Sequence, residues 1–139
     1  MRAGTDGLPL EPWGTRPIRV LIVDDEPLMR EILGELLQDI GYLVVGEASN
    51  GALAVEMARE THPDMVLMDL KMPVMDGIEA TAAITRELGQ TVVIVLSAYE
   101  DASLQRLARE AGAHTYVLKG SRIEVIEEAL REASDALRR

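Results

Sequence analysis

No cysteine occurs among the 139 residues, and that one absence excludes a disulfide framework, a thiolate nucleophile and a cysteine metal site together. No apolar run approaches the roughly 20 residues of a membrane-spanning helix. The N-terminus also lacks a basic segment followed by an apolar one, so the expected location is the cytoplasm, with no membrane association. Positive charge is scarce: 14 Lys and Arg stand against 24 Asp and Glu, giving a formal charge of −10 and a pI near 4.6. That balance opposes direct binding to nucleic acid, whose affinity comes largely from neutralising phosphates. The two histidines, His62 and His114, lie in loops without metal-ligating neighbours and read as surface residues. Internal repeats and low-complexity segments are missing as well.

What is present is a folding sequence. Hydrophobic residues make up 47%, and the length suits one domain that buries a core without staples. Residues 1–17 hold six Gly or Pro and no apolar period, so they read as a flexible leader in which Trp13 is part of the arm rather than a binding anchor. A domain is expected over residues 18–139. Ile18–Val23 is a strand, and Pro27 opens a helix with Leu28, Ile32, Leu33, Leu36, Leu37 and Ile40 at helical spacing up to Gly41. Leu43–Ala48 is a second, weaker strand, followed by a helix containing Leu53, Val55, Met57 and Ala58. Asp64–Leu70 is too short and too uniformly apolar for an amphipathic surface helix, and reads as a strand buried on both faces.

After it, Asp76-Gly77 starts a helix with Ile78, Ala82, Ile84 and Leu88 as periodic positions. Val92–Leu96 is a fourth strand ending at Ser97, and a helix from about Asp101 to Ala111 closes at Gly112. Thr115–Leu118 is the fifth strand, ended by Lys119, and a last helix from near Ser121 carries Ile123, Ile126, Leu130, Ala133 and Leu137 on one face. Strands alternating with helices imply an α/β doubly wound parallel sheet with right-handed crossovers.

In such a sheet ligands bind beyond the carboxyl ends of the strands. Asp24, Asp25, Asp69, Ser97 and Lys119 each follow an apolar run, so parallel strands bring them to one edge. Clustered carboxylates raise one another's pKa, and a divalent cation removes that cost. Mg2+ prefers one or two carboxylates, waters and a phosphoryl oxygen to a full protein cage. In that site Asp69 is the nucleophile that forms an acyl phosphate, with Mg2+ held by Asp24, Asp25, Asp69 and the backbone carbonyl of Lys71. Ser97 offers a hydroxyl and Lys119 an ammonium to the other phosphoryl oxygens.

The stretches Val-Asp-Asp-Glu-Pro27, Met-Asp-Leu-Lys-Met-Pro-Val-Met-Asp-Gly77, Val-Leu-Ser-Ala98 and Tyr-Val-Leu-Lys119 resemble the signature of response regulator receiver domains of two-component signal transduction systems. The resemblance implies a flavodoxin-like sheet of strand order 2-1-3-4-5 with five helices. It implies phosphorylation of Asp69 by a sensor histidine kinase with Mg2+ required, no other enzymatic activity, and a switch formed by Ser97 and Tyr116. Lys71 and Tyr99 resemble rim positions that tune phosphoryl lifetime, Lys71 shielding the acyl phosphate or pairing with a site carboxylate. The output face is then the fourth helix, fifth strand and fifth helix, and homodimerisation through it is expected. Gly120 follows Lys119 where many receivers have proline, and Lys-Gly-Ser121 resembles the LuxR/NarL-type branch, whose full-length members carry a C-terminal helix-turn-helix. Nothing here resembles that output domain, which leaves a single-domain regulator and a fragment both open.

Taken singly, these residues have plainer readings. Asp24 and Asp25 suit a helix start, Ser97 a turn, Lys119 a solvated surface, Tyr116 simple packing, and Met68, Met72 and Met75 packing around the site. Gly46 to Gly51 has the glycine spacing of a phosphate loop, but Ala52 and Leu53 follow where Lys and Ser/Thr are needed. Two other functions compete with the switch: a Mg2+-dependent aspartyl phosphotransferase or phosphatase acting on a separate substrate, and an interaction domain that works without phosphorylation.

Overall fold

A computed structural model of the chain describes residues 16–72 and 74–138. Residues 1–15 of the expected leader, Trp13 among them, lie outside the described residues. Ten elements alternate without exception: β1 (Arg19–Val23), α1 (Pro27–Asp39), β2 (Leu43–Ala48), α2 (Gly51–Thr61), β3 (Met65–Met68), α3 (Gly77–Glu87), β4 (Val92–Ser97), α4 (Ala102–Glu110), β5 (Thr115–Leu118) and α5 (Ile123–Leu137). All strand pairs are parallel, in the order β2-β1-β3-β4-β5. The flavodoxin-like expectation therefore holds.

The period-two alternation of the strands divides the core. Val20, Ile22, Met65, Leu67, Ile94 and Leu96 face α1 and α5, where Leu33, Leu37 and Leu130 meet them. Leu21, Val23, Val66, Met68, Val93 and Val95 face the other way, onto Ala54, Ala58, Ala80, Ile84 and Ala108 of α2, α3 and α4. β1, β3 and β4 are buried on both sides, which is why they read as continuous apolar runs. β2 is an edge strand with Leu43 half exposed, and its weaker signal follows from that place.

Several helix faces are rotated from the sequence reading. Leu28 and Ile32 of α1 are 67% and 48% exposed, whereas Leu33, Leu36 and Leu37 are buried. At about 100° per residue, Leu28 and Ile32 lie a quarter turn or more away from that buried face. In α3 the residues against the sheet are Gly77, Ala80, Thr81 and Ile84, not Ala82, and in α2 they are Gly51, Ala54, Val55 and Ala58, not Leu53. Small side chains let these helices sit close, so counting large aliphatics misplaces the face. Ile123 of α5 is likewise exposed, and the helix starts there rather than near Ser121. β3 is also shorter than expected. Asp64 turns its carboxylate to the Arg19 amide at 2.9 Å and to the Arg16 guanidinium, and the chain bends after Asp69, where the Gly77 amide donates to Leu70 at 2.9 Å.

Candidate functional site

The carboxyl ends of β1, β3 and β5 converge on one polar pocket. Asp24 follows β1 and is buried, its carboxylate accepting from the Glu26 amide at 2.9 Å. Its backbone is held from both sides. The Asp24 amide donates to the Ala48 carbonyl at 3.0 Å, and Arg30 of α1 donates to the Asp24 carbonyl at 2.7 Å while binding Glu47 of β2 at 3.1 Å. Asp69 follows β3, buried, with its amide donating to Val23 at 2.9 Å. Oxygens of Asp24, Asp25 and Asp69 lie within 4.8 Å of one another. Asp25, unlike the other two, is exposed.

Lys119 closes the pocket from β5. Its ammonium lies 2.8 Å from Asp24, 3.4 Å from Asp69 and 3.7 Å from Glu26. One cation thus faces several carboxylates. Burial first, and then the neighbouring Asp24 charge, push the Asp69 carboxyl up to about 6, against the downward pull of Lys119. Burial by itself would lower the Lys119 ammonium, but the hydrogen bond to Asp24 and the charges of Asp69 and Asp24 outweigh it and raise the group. The pocket therefore carries uncompensated negative charge in a partly desolvated place. Hard oxygen donors so arranged fit Mg2+, which tolerates an incomplete protein shell.

Ser97, the last residue of β4, is fully buried, and its hydroxyl accepts from the Tyr99 amide at 3.1 Å. The Lys119 amide donates to the Ser97 carbonyl at 2.8 Å, which fixes β5 against this strand end. Tyr116 is partly buried against the α2-α3-α4 side of the core, and its hydroxyl donates to the Tyr99 carbonyl at 2.6 Å. Tyr99 thus touches both expected switch residues through its backbone. Its ring, half exposed, lies under the Lys71 ammonium, 5.2 Å from the centroid. Among the described residues no ion pair joins Lys71 to a site carboxylate. Met72 and Met75 pack against the core on the α2-α3-α4 side of the sheet.

Sequence reasoning overlooked Glu26, Arg30 and Glu47. Glu26 was visible in the acidic run after β1. No local signal marks Arg30 and Glu47, because their partners come from three different elements.

A doubly wound parallel sheet with a three-carboxylate, one-lysine pocket at its carboxyl edge defines the class of site, and comparison with known proteins gives the family. The response regulator receiver domain family matches residues 20–131, and the chain belongs to it. The transcriptional regulatory protein PdtaR of Mycobacterium tuberculosis is 47% identical over 103 residues, covering 74% of this chain and 50% of the relative. LiaR of Bacillus subtilis is 46% identical over 120 residues, 84% of this chain and 56% of the relative. The chain spans about half the length of these curated relatives. The chemotaxis protein CheY of Thermotoga maritima is 40% identical over 116 residues and is covered to 97%.

Among solved structures, a LuxR-family two-component response regulator from Aurantimonas aligns with a TM-score of 0.83 at 34% identity, covering 87% of each chain. The CheX-CheY-BeF3-Mg2+ complex from Borrelia burgdorferi aligns at 0.78 and 28% identity, over 84% of this chain and 89% of that one. Receiver domains bind Mg2+ at an acidic pocket and interact with sensor histidine kinases, and in this chain Asp24, Asp25 and Asp69 form an acidic cluster that could hold a metal ion. No described helix is long and apolar enough to cross a membrane.

Proposed function

We propose that this chain is a phosphorylation-activated switch that accepts a phosphoryl group on Asp69 from a sensor histidine kinase. The observation that carries the reading is the position of Asp69, a buried carboxylate at a strand end facing Asp24, Asp25 and the Lys119 ammonium. In the reaction an Asp69 oxygen attacks phosphorus, the O–P bond forms as the donor's N–P bond breaks, and the departing imidazole takes up a proton. Lys119 neutralises charge on the transferred group. Mg2+, when bound by Asp24, Asp25, Asp69 and the Lys71 carbonyl, supplies further charge neutralisation to the phosphoryl oxygens.

The switch reading rests on Ser97 and Tyr116 sharing Tyr99 as a backbone partner. A phosphoryl group with three strong acceptor oxygens competes for the Ser97 hydroxyl, and turning that hydroxyl releases the Tyr99 amide. Tyr116 then follows. Reversing a 1:99 equilibrium needs about 5.5 kcal/mol of differential interaction, more than a few hydrogen bonds supply, so the shift is completed by a partner. Homodimerisation through α4, β5 and α5 is one such completion, and direct binding to nucleic acid is disfavoured by the net charge of −10. Lys71, stacked on Tyr99, shields the acyl phosphate from water, and Lys71→Ala shortens its lifetime. The chain catalyses only its own phosphorylation and dephosphorylation.

Calorimetry with beryllofluoride, the group in the Borrelia CheY complex, tests the site. Saturable binding of one equivalent that requires both Mg2+ and Asp69 is expected, and binding retained in Asp69→Ala contradicts it. Steady turnover of p-nitrophenyl phosphate, lost in Asp69→Ala, would instead favour a phosphotransferase or phosphatase acting on a separate substrate.

A further inference from the structure

The second strand and the turn after it supply no residue to the proposed Mg2+ site, yet they touch both segments that do. On one side the Ala48 carbonyl accepts from the Asp24 amide at 3.0 Å, and Glu47 holds the Arg30 guanidinium that donates to the Asp24 carbonyl. On the other side the Gly51 amide donates to the Met75 carbonyl at 2.9 Å, in the loop between β3 and α3 that begins with Lys71. The approach there is too close for a side chain. A Cβ on Gly51 would collide with the Met75 carbonyl oxygen and lie 2.9 Å from that of Asp76.

The loop that Gly51 grips is itself strained. Val74 is 85% exposed and has φ of 69°, in the left-handed region that a β-branched residue adopts only when its surroundings force it. The force comes from the loop's ends. Gly77 is pressed against the Asp69 backbone, where a Cβ would also collide, and its amide binds the Leu70 carbonyl. Met75, two residues earlier, is fixed by Gly51. The span from Lys71 to Asp76 is thus clamped at its far end by two glycines from different helices.

We propose that Glu47, Ala48 and Gly51 form a brace that sets the distance between the Asp24 segment and the Lys71 loop, with Gly51 acting as a positioning residue for Mg2+. This inference rests on the metal site described above. Outer residues that orient metal ligands carry roughly 10- to 100-fold in affinity, because ligands displaced by a fraction of an ångström lose coordination geometry that Mg2+ demands.

The test compares Mg2+ dissociation constants by calorimetry for the full wild-type chain, Gly51→Ala and Val55→Ala. Val55 lies on the same helix and is buried in the core, so its truncation is expected to lower the melting temperature while leaving the Gly51 amide on the Met75 carbonyl. Gly51→Ala is expected to bind Mg2+ about ten-fold more weakly, with Val55→Ala within two-fold of wild type. Equal affinity of Gly51→Ala and wild type overturns the brace, and so does an equal loss in both variants. If Gly51→Ala does not fold, amide exchange at Gly51 in the wild-type chain decides: slowing several-fold on addition of Mg2+ supports the brace, and an unchanged rate overturns it. Absence of Mg2+ binding by the wild type removes the metal site and the brace together, an outcome distinct from the others.

Discussion

Asp69 holds its proton more tightly in the folded protein than in the unfolded chain, since burial and Asp24 push it up to about 6 from an ordinary value of 3.8. The ionised carboxylate therefore costs stability that is absent below about pH 4 and reaches its full size as pH rises through about 6. Without Mg2+, Asp69→Asn is expected to be more stable at pH 7.5 by up to about 3 kcal/mol, with the gain vanishing near pH 4, as read by urea denaturation across pH. Mg2+ is expected to reverse the order, because binding at the proposed ionised site stabilises the wild type by mass action.

Lys119 acts in the opposite sense. It is the cation shared by Asp24, Asp69 and Glu26, and Lys119→Met leaves buried carboxylates unpaired, at a cost of about 3 kcal/mol at pH 7. The deficit is expected to shrink on adding Mg2+, measured as the melting temperature with and without the ion. Asp24, Asp69 and Lys119 were legible in the sequence because each closes an apolar run. Arg30, Glu47 and Gly51 were not, since what they do depends on backbone groups contributed by other elements.

The elements were legible to the extent that burial on two faces leaves an unmistakable run. β1, β3 and β4 satisfy that condition, while the order of the strands came from the family resemblance alone. Which face of each helix is buried was less legible. Leu28 and Leu33 of α1 are the same residue type at helical spacing, yet one is 67% exposed and the other 3%. Leu33→Ala is expected to destabilise the fold by about 3 kcal/mol and Leu28→Ala by no more than about 0.5 kcal/mol, in denaturant titrations. The faces of α2 and α3 were hidden because Ala and Gly make close packing that hydrophobic counting undervalues. Near the site, Tyr116→Phe removes the donor to the Tyr99 carbonyl. A loss of about 1 kcal/mol is expected, accompanied by faster amide exchange in the segment after β4.

Across the molecule, the two cores meet the site differently. Asp24 and Lys119 extend from β1 and β5, while Asp69 ends β3 at the centre of the sheet, so the proposed phosphoryl acceptor lies where strands of one sheet bring the three side chains together. Tyr99 touches Ser97, Tyr116 and Lys71, which gives the site a route to the surface beside α4 and β5. A groove of about 560 Å³ opens there between β5 and α5, walled by Glu124, Glu128 and Glu132 over Tyr116 and Val117. Its acidity makes the proposed partner binding on this face sensitive to salt.

All of this depends on Asp69 accepting a phosphoryl group. The direct measurement is intact-protein mass after incubation with Mg2+ and acetyl phosphate, for wild type and Asp69→Ala. Gain of one phosphoryl group by the wild type alone, abolished by EDTA, is the predicted result. No gain in wild type with Mg2+ bound, or an equal gain in Asp69→Ala, would contradict the account.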